Sequence, residues 1–224
     1  DLHLSIRRQR QMCIRDRPEA AAEKPLPRTD PDGRYDFNFE NFIKGPSNQF
    51  AYAAAQAVAS NPSGAYNPLF IYGQSGLGKT HLSLAIAEGV AKAGHLVMYV
   101  SAPHLMDQLE LGKFHKDDAA LEFREVIFGC DLLVIDDLGT ELVTRYTQAE
   151  VYDLVNHRLN TGKPTIINTN LGLQEIERTY SSRVHSRLAG MYAVVQFKGR
   201  DIRLQKKQEL SLIHISEPTR LGMI

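Results

Sequence analysis

The chain has 224 residues, 43% of them hydrophobic, with 26 basic side chains against 26 acidic ones and a formal net charge of zero. This length suits one globular domain with a sizeable core. The lack of any apolar run of about eighteen residues argues against a membrane-spanning helix, and the neutral balance confines any nucleic-acid contact to a local patch.

The first ten residues, DLHLSIRRQR, are basic but carry no apolar signal core, so no secretory leader is read there. The stretches QMCIRDR (11–17) and SLIHISEPTRLGMI (211–224) resemble translated adapter sequence, although a natural disordered arm and tail would look similar. The expected layout is a non-native or disordered segment and linker over 1–35, a folded domain over 36–210 and a non-native tail over 211–224. With 1–17 and 211–224 set aside, 20 basic residues stand against 23 acidic ones. Cys13 and Cys130 are far apart, and Cys130 precedes an apolar run as a buried thiol would. Such sparse cysteine usage fits a cytoplasmic protein.

From Tyr35 aromatic and polar residues alternate up to a helical pattern in FAYAAAQAVA (50–59), with Ser47 or Asn48 as its cap. NPSGAYNP (61–68) ends that helix. Short, continuously apolar runs follow at 69–72, 96–101, 131–136 and 164–170, with helical patterns between them and a last strand at 193–199. Strands apolar on both faces and joined by helices predict an α/β fold, a parallel sheet sandwiched by helices.

Between the first strand and the next helix lies Gly73-Gln74-Ser75-Gly76-Leu77-Gly78-Lys79-Thr80, followed by His81. The glycines of such a loop let backbone N–H groups curl around phosphates, and the helix turns its positive end toward them. Lys79 is expected to reach the β and γ phosphates of a triphosphate, and the Thr80 hydroxyl to hold Mg²⁺. The run 132–135 ends in Asp136-Asp137. A carboxylate closing a buried strand needs a cation, so Asp136 is read as the metal-side acid and Asp137 as the group that orients the attacking water, unless Asp137 only caps the following turn. Glu141 is a possible helper. Asn170, ending the fourth strand, is a candidate for the γ-phosphate or the water, though asparagine also suits a strand-ending turn.

Arg183 and Arg187 stand four apart on one helical face. Coming late in the chain, they suit the phosphate site of a neighbouring subunit, with surface ion pairs as the plainer explanation. Arg203 is a further phosphate candidate. Local basic clusters occur at Lys198, Arg200, Arg203, Lys206 and Lys207, and at Lys113 and Lys116 flanking Phe114. Either could meet single-stranded DNA or be a solvated face.

In order, GQSGLGKTHL, DLLVIDDLGTE, PTIINTNL, SSRVHSRL and FKGRDIRL resemble the AAA+ ATPase module of DnaC/DnaI-type replicative helicase loaders, over about residues 36–205. The earlier stretch, 39–73, is equally similar to the initiator DnaA, and IstB-type transposition helpers share the loader motifs. The resemblance implies an AAA+ fold with a reduced lid, ATP and Mg²⁺ as ligands, and slow, assembly-dependent ATP hydrolysis by Asp137, Asn170 and a trans-acting arginine, Arg183 or Arg187. It implies a homo-oligomer working on a hexameric replicative helicase and single-stranded DNA. It places Phe42 and Ile43 at the adenine pocket, where an aromatic-aliphatic pair is as easily core. A DnaA-like initiator module or an IstB-like helper is the alternative function. A small-molecule P-loop kinase would need a lid and an acceptor pocket that no segment supplies.

Overall fold

The computed structural model describes residues 37–45, 48–115 and 117–198. Helix α1 (Gln49–Ser60) precedes strand β1 (Leu69–Tyr72), and the chain then alternates α2 (Lys79–Lys92), β2 (Val97–Ser101), α3 (Ala102–Glu110), a π-helical turn (Leu111–His115), α4 (Asp118–Gly129) and β3 (Leu132–Leu138). It continues through α5 (Arg145–Asn160), β4 (Thr165–Thr169), α6 (Leu173–Thr179), α7 (Ser182–Met191) and β5 (Ala193–Gln196). All five strands are parallel, in the order β2-β3-β4-β1-β5.

The period-2 alternation of each strand sorts its apolar residues onto two faces. Leu69, Ile71, Val97, Leu132, Val134, Ile166 and Val195 pack with Tyr52 and Val58 of α1 and Leu82, Ile86 and Val90 of α2. Phe70, Met98, Val100, Leu133, Ile135 and Ile167 pack with Leu105, Ile127, Leu154, Ile176 and Leu188 of α3 to α7. Because neither face meets water, both sets are apolar, which is why the strands read as unbroken hydrophobic runs. Burying each such side chain contributes roughly 1.5–3 kcal/mol. Among the described residues no helix is long and apolar enough to cross a membrane.

Asn48 occupies the cap position of α1 without capping the helix. Its side chain instead accepts from Gly45 N at 2.8 Å and donates to the Ile43 carbonyl at 2.9 Å, folding the preceding segment back; Ser47 lies outside the described residues. Strand β3 runs two residues past its predicted end. Its pairing with β4 slips by one, from Ile135↔Ile167 to Leu138↔Thr169, so Asp136 and Asp137 together oppose Asn168. Such a bulge bends a strand and re-aims its side chains, and Asp137 takes a left-handed φ of 55° within it.

At the opposite, N-terminal edge of the sheet, Arg158 of α5 is fully buried. Its guanidinium donates to the carbonyls of Ile127 (2.8 Å), Phe128 (3.3 Å), Cys130 (3.2 Å) and Pro164 (2.6 Å), while Nε donates to Thr165 Oγ1 at 2.8 Å. It thereby gathers the last carbonyls of α4 and the entry to β4 around one planar cation, an arrangement suited to a helix C-terminus. Burial pushes the Cys130 thiol up, against the lowering pull of Arg158.

Candidate nucleotide site

The chain leaves β1 beside β4 on one side and β5 on the other, at the place where the strand order reverses and parallel sheets bind ligands beyond their carboxyl ends. Gly73, Gly76 and Gly78 have φ of 148°, 80° and 94°. The last two require the left-handed region open to glycine. At Gly73 a Cβ would fall 2.4 Å from the Phe197 carbonyl oxygen, because the β5 ladder continues through Phe197 N to Tyr72 O at 2.7 Å. Leu77 is buried in the core and anchors the loop, whereas Gln74 and Ser75 are exposed. Gly78 caps α2, whose first backbone bond is Leu82 N to Gly78 O at 3.0 Å, so the positive end of the helix at Lys79, Thr80 and His81 meets the loop.

Lys79 is buried, and its ammonium donates to the carbonyls of Gly73 (2.7 Å) and Gln74 (2.8 Å) and to Asn170 Oδ1 (2.8 Å). Thr80 Oγ1 donates to Asp136 Oδ2 at 2.9 Å. Asp136, only 4% exposed, also accepts from the Tyr99 hydroxyl on Oδ2 and from Asn168 Nδ2 on Oδ1 at 2.8 Å. Asn168 is itself paired with Ser83, whose hydroxyl donates to the Lys79 carbonyl at 3.0 Å. Burial first, and then the Asp136 charge, push the Tyr99 phenol far above its ordinary range and keep it a donor. Beside Lys79 a cavity of about 400 Å³ is lined by Gly73, Gln74, Leu77, Asn170, Gln196 and Lys198, among others.

The donor set fits magnesium. One buried carboxylate and one hydroxyl lie together, each hydrogen-bond partner described for that carboxylate is neutral, and magnesium takes few protein ligands beside phosphate and water. The loop, the helix end and the buried ammonium fit a phosphate tail.

Other candidates are placed differently. His81 turns its ring away, 2.8 Å from the Asn38 carbonyl and edge-on to Phe37 and Phe42. Phe42 is core, stacked on Tyr52, while Ile43 is 38% exposed; neither lines the cavity. Glu141 braces the fold: its carboxylate accepts from Gly139 N at 2.9 Å and from the Tyr180 hydroxyl. Arg183 is exposed on α7. Arg187 forks onto Asn156 Oδ1 (2.9 and 2.7 Å), donates to the Tyr152 hydroxyl at 2.9 Å and lies over that ring. Lys113 pairs with Glu150 at 3.0 Å, while Phe114 is 61% exposed beside Tyr146. Lys198 belongs to the cavity wall; Lys116, Arg200, Arg203, Lys206 and Lys207 lie outside the described residues. Tyr99, Asn168 and Ser83 escaped the sequence reading as site residues. The only signal was Asn168 beside Asn170 at a strand end.

A glycine loop after β1, an acid pair ending the strand two places away and an asparagine ending the strand between them define a P-loop nucleoside triphosphatase of AAA+ architecture. The bacterial DnaA ATPase domain family matches residues 34–194, and this chain belongs to that family; it is a nucleotide-binding ATPase domain of replication-initiator type. Over 170 residues it is 41% identical to the chromosomal replication initiator protein DnaA of Thermus thermophilus, covering 75% of this chain and 37% of that protein. The chain spans about two fifths of the length of the curated relatives it matches. Its fold is similar to a replication initiator DnaA bound to AMPPCP and single-stranded DNA (TM-score 0.67, 30% identity, 83% of this chain and 57% of that one). It is also similar in fold to the DnaC helicase loader (TM-score 0.65, 23% identity, 72% of this chain and 96% of that one). The family match thus falls on the initiator, held as the alternative in the sequence reading, rather than on the loader.

Proposed function

We propose that this chain is the ATP-switched module of a DnaA-like replication initiator, binding ATP with Mg²⁺, assembling with further copies of itself and contacting single-stranded DNA. The observation that carries this reading is the pair of links Lys79–Asn170 and Thr80–Asp136, which gather the helix after β1 and the tips of β3 and β4 around one loop. In this reading the loop amides from Gly73 to Thr80 and the Lys79 ammonium hold the phosphate tail. Magnesium, when bound by Thr80 and Asp136, would supply neutralisation of phosphate charge. Asp137, re-aimed by the bulge, orients the attacking water and accepts its proton, and Asn170 holds the γ-phosphate or that water. Arg183 and Arg187 serve the site of the next subunit, where a planar guanidinium meets the charge that develops on the transferred phosphoryl group. For DNA the exposed Phe114 ring beside Tyr146 offers a stacking surface.

The test is ATP hydrolysis by the purified chain with and without single-stranded DNA. ATP binding with turnover that rises with protein concentration supports the reading; no ATP binding by calorimetry rejects it. A loader acting on a hexameric replicative helicase is the second reading, favoured by the IDDLGTE and NTN motifs. Stimulation by, and co-purification with, the helicase in the absence of DNA would favour it over the first.

A further inference from the structure

Asp136 is approached by hydrogen-bond donors from three separate elements: Thr80 from α2, Tyr99 from β2 and Asn168 from β4. We propose that Tyr99 is a positioning residue for the metal-side acid, its hydroxyl fixing the Asp136 carboxylate in the orientation magnesium needs beside Thr80 and so setting the magnesium dependence of nucleotide binding. This rests on the reading of the loop as a Mg–ATP site.

The placement follows from the sheet. Tyr99 is opposite Val134 in the parallel pairing of β2 with β3, and Ser101 is opposite Asp136. Residues two apart share a face, so Tyr99, Val134 and Asp136 all point toward α2, the helix that carries Thr80; Tyr99 packs against the cluster on that side. A side chain at position 99 must cover an offset of two residues to reach the carboxylate, and the length of a phenol does so while bringing a donor.

The chemistry matches a role in positioning. A carboxylate offers about four acceptor positions; Thr80, Tyr99 and Asn168 fill three of them, two on Oδ2 and one on Oδ1. All three donors are neutral, so they restrain the group without cancelling its charge, and the negative charge is kept for a cation. Groups that orient a metal ligand in this way typically change metal affinity by about 10- to 100-fold when lost. Thr80 belongs to the metal set itself, and Asn168 is shared with Ser83. Tyr99 is therefore the partner whose donor can be removed most cleanly.

The experiment uses the full chain and a fluorescent ATP analogue, with affinity followed from excess EDTA through rising magnesium. For Tyr99→Phe the affinity in EDTA should stay within about twofold of wild type, while the magnesium midpoint should rise about tenfold. Tyr99→Met, which fills similar space without a donor, should shift it the same way if the phenylalanine variant fails to fold. Tyr192→Phe removes a buried hydroxyl from the cluster on the opposite face of the sheet, away from Asp136, and its midpoint should be unchanged. An unchanged or lower midpoint in the Tyr99 variants, or an equal shift in Tyr192→Phe, overturns the proposal. A wild-type protein that binds the analogue with no magnesium effect overturns the Mg–ATP reading itself.

Discussion

The Lys79 ammonium donates to Asn170 Oδ1 across 2.8 Å, although 91 residues of chain separate them. The bond joins the start of α2 to the tip of β4, and the proposed function gives the two side chains separable duties.

Lys79→Ala should lower ATP affinity by roughly a hundredfold or more, the scale of removing one buried charged partner. Asn170→Ala should leave binding near wild type and cut turnover by about a hundredfold, the scale of one lost preorganised donor. Equilibrium binding beside steady-state hydrolysis separates the two; equal losses of binding in both variants would contradict the assignment.

Arg183→Ala and Arg187→Ala should each spare ATP binding and depress turnover only when the protein assembles, by roughly a thousandfold for the principal arginine. Asn156→Ala, which releases the Arg187 fork, should give a smaller loss. Mixing either arginine variant with Asp137→Asn should restore activity, since one protein then brings an intact site and the other an intact arginine. Without recovery in the mixture, action between subunits is excluded.

Glu150 gives a pH dependence with a defined sign. Burial alone would raise its pKa, but the bonds and charges of Arg124 (2.7 Å) and Lys113 (3.0 Å) outweigh burial and hold it below the ordinary carboxylate value. A depressed folded-state pKa contributes stability above the unfolded value, near 4.3, that is lost as pH falls through the folded one. Glu150→Gln should therefore be less stable than wild type at pH 7, with the two denaturation midpoints converging in acid. A gap that widens on acidification would contradict this.

Arg158→Met should destabilise the fold by roughly 3–5 kcal/mol, because it strands several buried carbonyls. Chemical denaturation measures the loss. ATP affinity, referred to the folded fraction, should be unchanged, since the guanidinium sits at the far edge of the sheet from the loop.

The strands and the phosphate loop were legible because their signals are local. Leu69 to Tyr72 are apolar on both faces, and Gly76 and Gly78 stand where the backbone turns left-handed. What depended on register was not legible. The slip that sets Asp136 and Asp137 against Asn168 has no sequence mark, and Tyr99 reaches Asp136 only because of how β2 and β3 align. Glu141 looked like a catalytic helper by position, yet Gly139 and Tyr180 occupy both its oxygens. Arg158 drew no reading from the sequence, since nothing local announces four carbonyls converging on it.

With Arg158 clamping one rim of the sheet, the protein resembles a hull with its ballast at the keel. One guanidinium ties the end of α4 to the entry of β4 there, so the strands beneath the phosphate loop take their alignment from an anchor that is remote from the loop itself.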